Sequence, residues 1–374
     1  MTAPHAHDCP AADRLVDDAI RAIGAEIDAL AIPRLLGVVL GGGYARGEGG
    51  VFGLERPTTQ VEGLKVERLK DGVVRDSGEP TLQPFNPSTL QLSNDLDFYV
   101  VAEDAASPAD LAAIAAALRP VSEKWTARLG VDVDFSPPKT PWRIAHDEER
   151  LMIQELLHGY CDVVGKPGAE LFKDIPRRPP EALPFLEAVR LLVNRGVGLL
   201  LAAEAARRSQ VASRKSQVSN ASSDACDLRP ATCDAGDFVA RNINKAILGC
   251  GDARLIAEGR YRWRALDRAD ALADDLYRDA VQWKFRPRPE PPCDWETARK
   301  LWLGTVDTVY VSGGGRRTLR AAARWLVRRR SLGPEPFRTL GLDPLVRILD
   351  AMRPLVRDRK PFPASLRRDW EVFN

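Results

Sequence analysis

Eleven residues, "LGGGYARGEGG" from Leu40 to Gly50, set six glycines around one arginine and one glutamate. So bare a backbone limits what can form there. Glycine takes positive φ without a Cβ penalty and lets a ligand reach the main chain, so the run reads either as a phosphate cradle or as a tight surface turn. Directly before it, "RLLGVVL" is an apolar run of strand length. Earlier still, Leu15, Val16, Ala19, Ile20, Ile23, Ile27 and Leu30 recur at helical spacing. The expected order is helix, buried strand, glycine turn.

Two later segments add carboxylates. "LDFYVVA" (Leu96 to Ala102) predicts a second strand, "DLAAIAAALRPVSEKWTARLG" a helix bent at Pro120, and "VDVDF" (Val131 to Phe135) a third strand. Strand side chains alternate, so Asp95 and Asp97 share one face while Leu96 and Phe98 enter the core. Asp132 and Asp134 repeat the pattern against Val131, Val133 and Phe135. Neighbouring carboxylates repel unless a cation neutralises them, and an oxygen donor set suits Mg²⁺. One Asp-x-Asp is compatible with an ordinary strand end. Four carboxylates on two strands after a glycine loop point to one or two divalent metals with a polyphosphate beside them.

The chain divides into an N-terminal helix (1–35), an α/β domain (36–168) with an insertion at about 54–92, and a mostly helical half (169–374). Within the insertion, "VERLKDGVVRDSGEP" reads as a hairpin turning at Asp71-Gly72. Ser209 to Gly236 is poor in large apolar residues and predicts a disordered loop. A net charge of +2 gives no global field toward nucleic acid or an anionic membrane. The six cysteines contain no Cys-x-x-Cys pair, and His5, His7, His146 and His158 show no metal-ligand spacing. The N-terminus lacks a basic region followed by an apolar run, and no apolar stretch reaches spanning length, so the expected compartment is the cytosol with no membrane partner.

Known phosphate loops do not explain the glycines. A P-loop ends in Gly-Lys-Ser/Thr, where this run has Glu48-Gly49-Gly50, and a dinucleotide fingerprint from Gly41 and Gly43 needs glycine where Arg46 stands. Gly42-Gly43-Tyr44-Ala45-Arg46-Gly47-Glu48, then Asp95-Leu96-Asp97, then a strand carboxylate followed by "FSPP" resembles the DNA polymerase beta-like nucleotidyltransferase superfamily over residues 36 to 165. The helical half is similar to the accessory domain of aminoglycoside-type members.

The resemblance implies an α/β (α+β) nucleotidyltransferase core with a mixed sheet, followed by an α-helical domain. It implies that Gly42, Gly43 and Tyr44 hold the nucleotide at the turn, with Arg46 either joining them or pairing with Glu48. Asp95 and Asp97 would hold Mg²⁺ or Mn²⁺ together with a third carboxylate, Asp134 in preference to Asp132. Lys245, on a helix of the second half, would hold the β- and γ-phosphates, a solvated lysine being the alternative. Donor and acceptor would be ATP or another nucleoside triphosphate and the hydroxyl of a small molecule. In the usual pattern the glycine turn and the Asp pair lie close in sequence, whereas Gly43 and Asp95 are 52 apart. Loop closure cost grows only logarithmically, so an insertion is tolerable.

Alternatives are a protein or RNA acceptor, or a non-catalytic nucleotide-binding module of regulatory or antitoxin-like type. A third is nucleic-acid binding through Arg316, Arg317, Arg320, Arg324 and Arg328 to Arg330, which an amphipathic helix explains equally well.

Overall fold

Proline at the first turn of a helix sacrifices no hydrogen bond, and Pro10 opens α1 (Pro10–Ala29), which buries Val16, Ala19, Ile20, Ile23 and Ile27 along one face. The computed structural model describes residues 4–52, 90–218, 235–312 and 344–373. The Asp71-Gly72 hairpin, residues 219–234 of the serine-rich segment and the arginine run 316–330 lie outside the described residues.

β1 (Leu35–Leu40) leads into a single turn, α2 (Gly42–Ala45), and β2 (Val51–Phe52). After the insertion come β3 (Gln91–Leu92), β4 (Leu96–Ala102) and α3 (Pro108–Leu129), which starts on a Ser107–Asp110 capping box and runs on through Pro120. β5 (Val133–Phe135), α4 (Pro141–His146), α5 (Leu151–His158), β6 (Cys161–Gly165) and α6 (Gly168–Leu171) follow.

The four main strands form a mixed sheet ordered β5-β4-β1-β6. β1 runs antiparallel to β4 and β6, while β4 and β5 are parallel. A parallel pair needs a long crossover, and α3 supplies it. β1 and β4 are interior strands, which is why both read as nearly unbroken apolar runs. Val38, Leu40, Leu96, Phe98 and Val133 pack under α1 and α3 on one face; Val39 and Val101 meet Ile144, Ile153, Leu156 and Leu171 of α4 to α6 on the other. β5 starts at Val133, two residues later than the alternation predicts. The Asp132 carbonyl just before it accepts from the Leu96 N–H at 2.9 Å.

Packing of this body continues past Gly168. Phe172 and Ile175 join its core, Gln154 Nε2 donates to the Pro176 carbonyl at 3.0 Å, and the Arg178 N–H donates to Gln154 Oε1 at 2.7 Å.

The C-terminal region comprises α7 (Phe185–Val218), α8 (Ala235–Glu258), α9 (Ala265–Leu272), α10 (Asp275–Phe285), α11 (Trp295–Thr305) with a wider π-helical stretch Val306–Ser312, α12 (Pro344–Arg357) and α13 (Ala364–Phe373). α7 and α8 pair closely, with Val193, Ile247, Trp302 and Met352 in their shared core. Helix also covers 209–218 and 235–236, both ends of the serine-rich segment. Low hydrophobicity there is compatible with helix, since Ala, Lys and Gln are good helix formers. The chain is thus a mixed α/β protein with a small mixed sheet and a helical C-terminal region. Among the described residues no helix is long and apolar enough to cross a membrane.

His5 ties the N-terminal segment to this frame. Its two ring nitrogens lie 3.0 Å from the Tyr44 carbonyl and 3.0 Å from Asp17 Oδ1, both acceptors, so the ring is held as imidazolium. Burial opposes that charge, but hydrogen bonds to Cys161, Asp17 and the Tyr44 carbonyl outweigh it and push the pKa up to about 9. A raised folded pKa gives stability that is complete below the ordinary histidine value and disappears as pH rises through 9. Relative to His5→Gln, the wild type should lose about 2 to 3 kcal/mol across that window in urea titrations. A constant difference from pH 6 to 10 would contradict the assignment.

Candidate functional site

The separation of Gly43 from Asp95 is closed by a clamp. β2 and β3 pair antiparallel, Val51 with Leu92 and Phe52 with Gln91, as a ribbon at the base of the insertion. Tyr44, 1% exposed, donates its hydroxyl to the Gly50 carbonyl at 2.6 Å and accepts from the Ser93 N–H at 3.2 Å and the Asn94 N–H at 3.4 Å. Asn94 Oδ1 accepts from the Gly50 N–H at 2.7 Å. One buried ring therefore holds the end of the glycine run against the residues just before Asp95. The Tyr44 hydroxyl is thereby engaged inside the protein, which leaves its backbone as the part of this residue that shapes the turn.

Two glycines show what the bare backbone accommodates. Gly42 has φ +69°, and a Cβ there would collide with Asp97 Oδ2. Gly50 passes so near the Lys284 carbonyl and Ser93 hydroxyl that a side chain would displace one of them. The run is both a cradle against an acidic strand and a packing surface for the helical region.

Asp97 and Asp134 are register partners on the parallel pair β4–β5, with Asp95 just ahead of β4. The Gly41 N–H donates to the Asp97 carbonyl at 2.8 Å, locking the turn to the strand. The Asp97 carboxyl is open to solvent yet set in a recess of protein. Its pKa is pushed up to about 6, first by that burial and then by repulsion from Asp95 and Asp134, with Lys245 and Arg46 pulling the other way. Asp134 is raised by burial, then by Asp132 and Asp95, against Lys245. Asp132, exposed ahead of β5, stands aside from the register pair but within electrostatic reach.

The helical region brings the opposing charge. Lys245, exposed on α8, offsets both Asp97 and Asp134. Arg241, one turn earlier, donates to the Ser93 carbonyl, pairs with Asp237 at 2.6 Å and lies over the Phe52 ring. Sequence reasoning missed Arg241; its spacing of four from Lys245 was the available signal.

The Arg46 side chain is largely enclosed and takes the pairing alternative, beside Glu48. It lies buried 3.8 Å from Glu48 and 3.7 Å from Glu155, with its Nε lacking a hydrogen-bond partner. Glu48 instead anchors the helical region, accepting from Lys284 Nζ at 3.0 Å and from the Ala265 N–H at 2.6 Å. Burial opposes its charge, but Lys284, Arg268 and Arg46 hold its carboxyl down at about 2. Behind it, Arg268 donates to the hydroxyls of Tyr261 and Tyr277 and pairs with Asp252 at 3.0 Å. His158, whose Nε2 donates to the Arg178 carbonyl at 3.2 Å, stacks on Trp263 with ring centroids 4.2 Å apart in a packing role.

A divalent ion needs several oxygen donors converging on one point. Asp95, Asp97 and Asp134 supply the right chemistry, an all-oxygen set whose mutual repulsion a cation relieves. Among the described residues no group of three or more His, Cys, Asp or Glu side chains is gathered tightly enough to hold one as placed. The carboxylates form a like-charge cluster that Lys245 partly offsets. No family model matches this chain, and neither a curated protein nor a solved structure matches it.

Proposed function

We propose that this chain is a metal-dependent nucleotidyltransferase of the DNA polymerase beta-like kind, moving a nucleoside monophosphate, AMP from ATP by default, onto an acceptor hydroxyl with release of pyrophosphate. The observation that carries the reading is the Asp97–Asp134 register pair, with the Gly42 backbone against one carboxylate and Lys245 facing both. Such proximity of like charges is costly in a purely structural site and useful where a cation and a triphosphate meet.

Asp95, Asp97 and Asp134 would hold Mg²⁺ or Mn²⁺, which when bound neutralises the charge of the triphosphate. The Gly42–Gly43 backbone would meet the phosphates, at a turn where a Cβ on residue 42 would strike the Asp97 carboxylate. Lys245 pairs with the β- and γ-phosphates from the helical side, steadying the leaving group. Asp134, with its raised pKa, takes the proton of the attacking hydroxyl. Beyond this the protein supplies alignment, which phosphoryl transfer chiefly requires.

Binding tests the first half of this account. Calorimetry should find ATP bound only with Mg²⁺ or Mn²⁺, with affinity reduced about tenfold in Lys245→Ala, a loss of one charge-assisted contact. ATP binding independent of divalent ion, or unchanged in Lys245→Ala, would contradict the assigned roles.

A further inference from the structure

Gly249 of α8 leaves room for Arg195 of α7, whose side chain a Cβ at that position would strike. Lys245, Gly249 and Asp252 follow one another at helical spacing on one face of α8, so Arg195 lies a turn beyond the lysine that faces the acid cluster. Its guanidinium is within electrostatic reach of Asp252 and of Glu155 on α5. Tyr99 shares the Asp97 face of β4, packs against α5, and feels the charges of both Asp97 and Glu155. Arg195 therefore stands beside the sheet face that carries the Asp97 carboxylate, on the side of Arg46 and the glycine turn.

The other cations of this buried network are committed. Arg268 pairs with Asp252, Lys284 pairs with Glu48, and Arg46 lies between Glu48 and Glu155. Among the described residues Arg195 makes no hydrogen bond and no ion pair, and its Nε is buried without a partner. Four cations, Arg46, Arg195, Arg268 and Lys284, thus meet three carboxylates, Glu48, Glu155 and Asp252. Burial lowers the Arg195 pKa, and Asp252 and Glu155 restore only part of it. An enclosed charge without an acceptor is costly, and a bound anion removes that cost.

We propose that Arg195 binds an anionic oxygen group, a phosphate or a carboxylate, on a ligand that occupies the cleft beside Asp97. A guanidinium offers a planar fork of donors that matches such a group. The source of the anion rests on the nucleotidyl-transfer reading above, which supplies two: the terminal phosphate of the triphosphate, reaching past Lys245, or an acidic group on the acceptor. Arg195 binds; no bond forms or breaks at it.

Calorimetry on the full chain, with Arg195→Met and Arg195→Lys, uses Mg²⁺–ATP, Mg²⁺–ADP and inorganic phosphate as probes. Removing an unpaired buried cation should leave the urea midpoint of the ligand-free protein unchanged or raised. A terminal-phosphate source makes Mg²⁺–ATP binding at least tenfold weaker in Arg195→Met, with Mg²⁺–ADP unchanged and Arg195→Lys recovering part of the loss. An acceptor source leaves Mg²⁺–ATP unchanged, and inorganic phosphate added to the ATP-loaded protein binds wild type but not Arg195→Met. Absence of both dependences, or a lowered urea midpoint in Arg195→Met, would overturn the proposal and make the arginine structural. Failure of the underlying reading looks different: inorganic phosphate binds the nucleotide-free protein through Arg195, while Mg²⁺–ATP does not bind at all.

Discussion

Replacing Arg268 with methionine is expected to destabilise the protein by about 3 to 5 kcal/mol, the cost of removing one member of a buried ionic cluster. Arg268 is 5% exposed and lies between Asp252 and Glu155. It also donates to two tyrosine hydroxyls and to the carbonyls of Arg262 and Trp263. Methionine fills similar volume but leaves those acceptors and both carboxylates without their cation. Arg268→Lys should recover only part of the loss, because an ammonium cannot serve this fan of acceptors as a guanidinium does. The damage should reach the candidate site, since α9 carries Arg268 and also the Ala265 N–H that binds Glu48 of the glycine run. Urea denaturation with far-ultraviolet detection measures it. A loss below about 1 kcal/mol would show that the cluster is solvated and does not join the two regions.

The second large effect runs the opposite way. Asp97→Asn should lower nucleotidyl transfer at least about 1,000-fold, the equivalent of some 4 kcal/mol of transition-state stabilisation. It should also make the ligand-free protein more stable at neutral pH by about 1 kcal/mol, because it removes a charge repelled by Asp95 and Asp134; solvent access keeps that gain small. Asparagine is nearly isosteric, so the Gly42 contact survives. Activity lost together with stability would instead mark Asp97 as a structural residue.

Why some of this was legible in the sequence and some was not follows from sequence distance. The strands, the helix before them and the common face of Asp95 and Asp97 depend on local alternation, which needs only neighbouring residues. The choice of Asp134 over Asp132 as cross-strand partner depends on where β5 begins, and a hydrogen bond from Leu96 on another strand sets that point. Tyr44 reads as part of a ligand-binding turn because its partners, Ser93 and Asn94, lie beyond the insertion. Glu48 finds Lys284 in the other half of the chain, and His5 finds Tyr44 across the first helix. Neither contact leaves a mark on local composition. Lys245 reads in the sequence more readily as a solvated lysine, because its nearness to Asp97 and Asp134 depends on the packing of α8 and not on local pattern.

The most direct measurement is transfer from α-labelled ATP, then the other three nucleotides, in Mg²⁺ or Mn²⁺, using wild type and Asp97→Asn beside a lysate divided into small-molecule, protein and RNA fractions. The account predicts label entering the small-molecule fraction with wild type alone, accompanied by pyrophosphate. Label in the protein or RNA fraction would keep the reaction and contradict the acceptor. Tight, Mg²⁺-dependent ATP binding with no label in any fraction would contradict catalysis itself and establish a nucleotide-binding module.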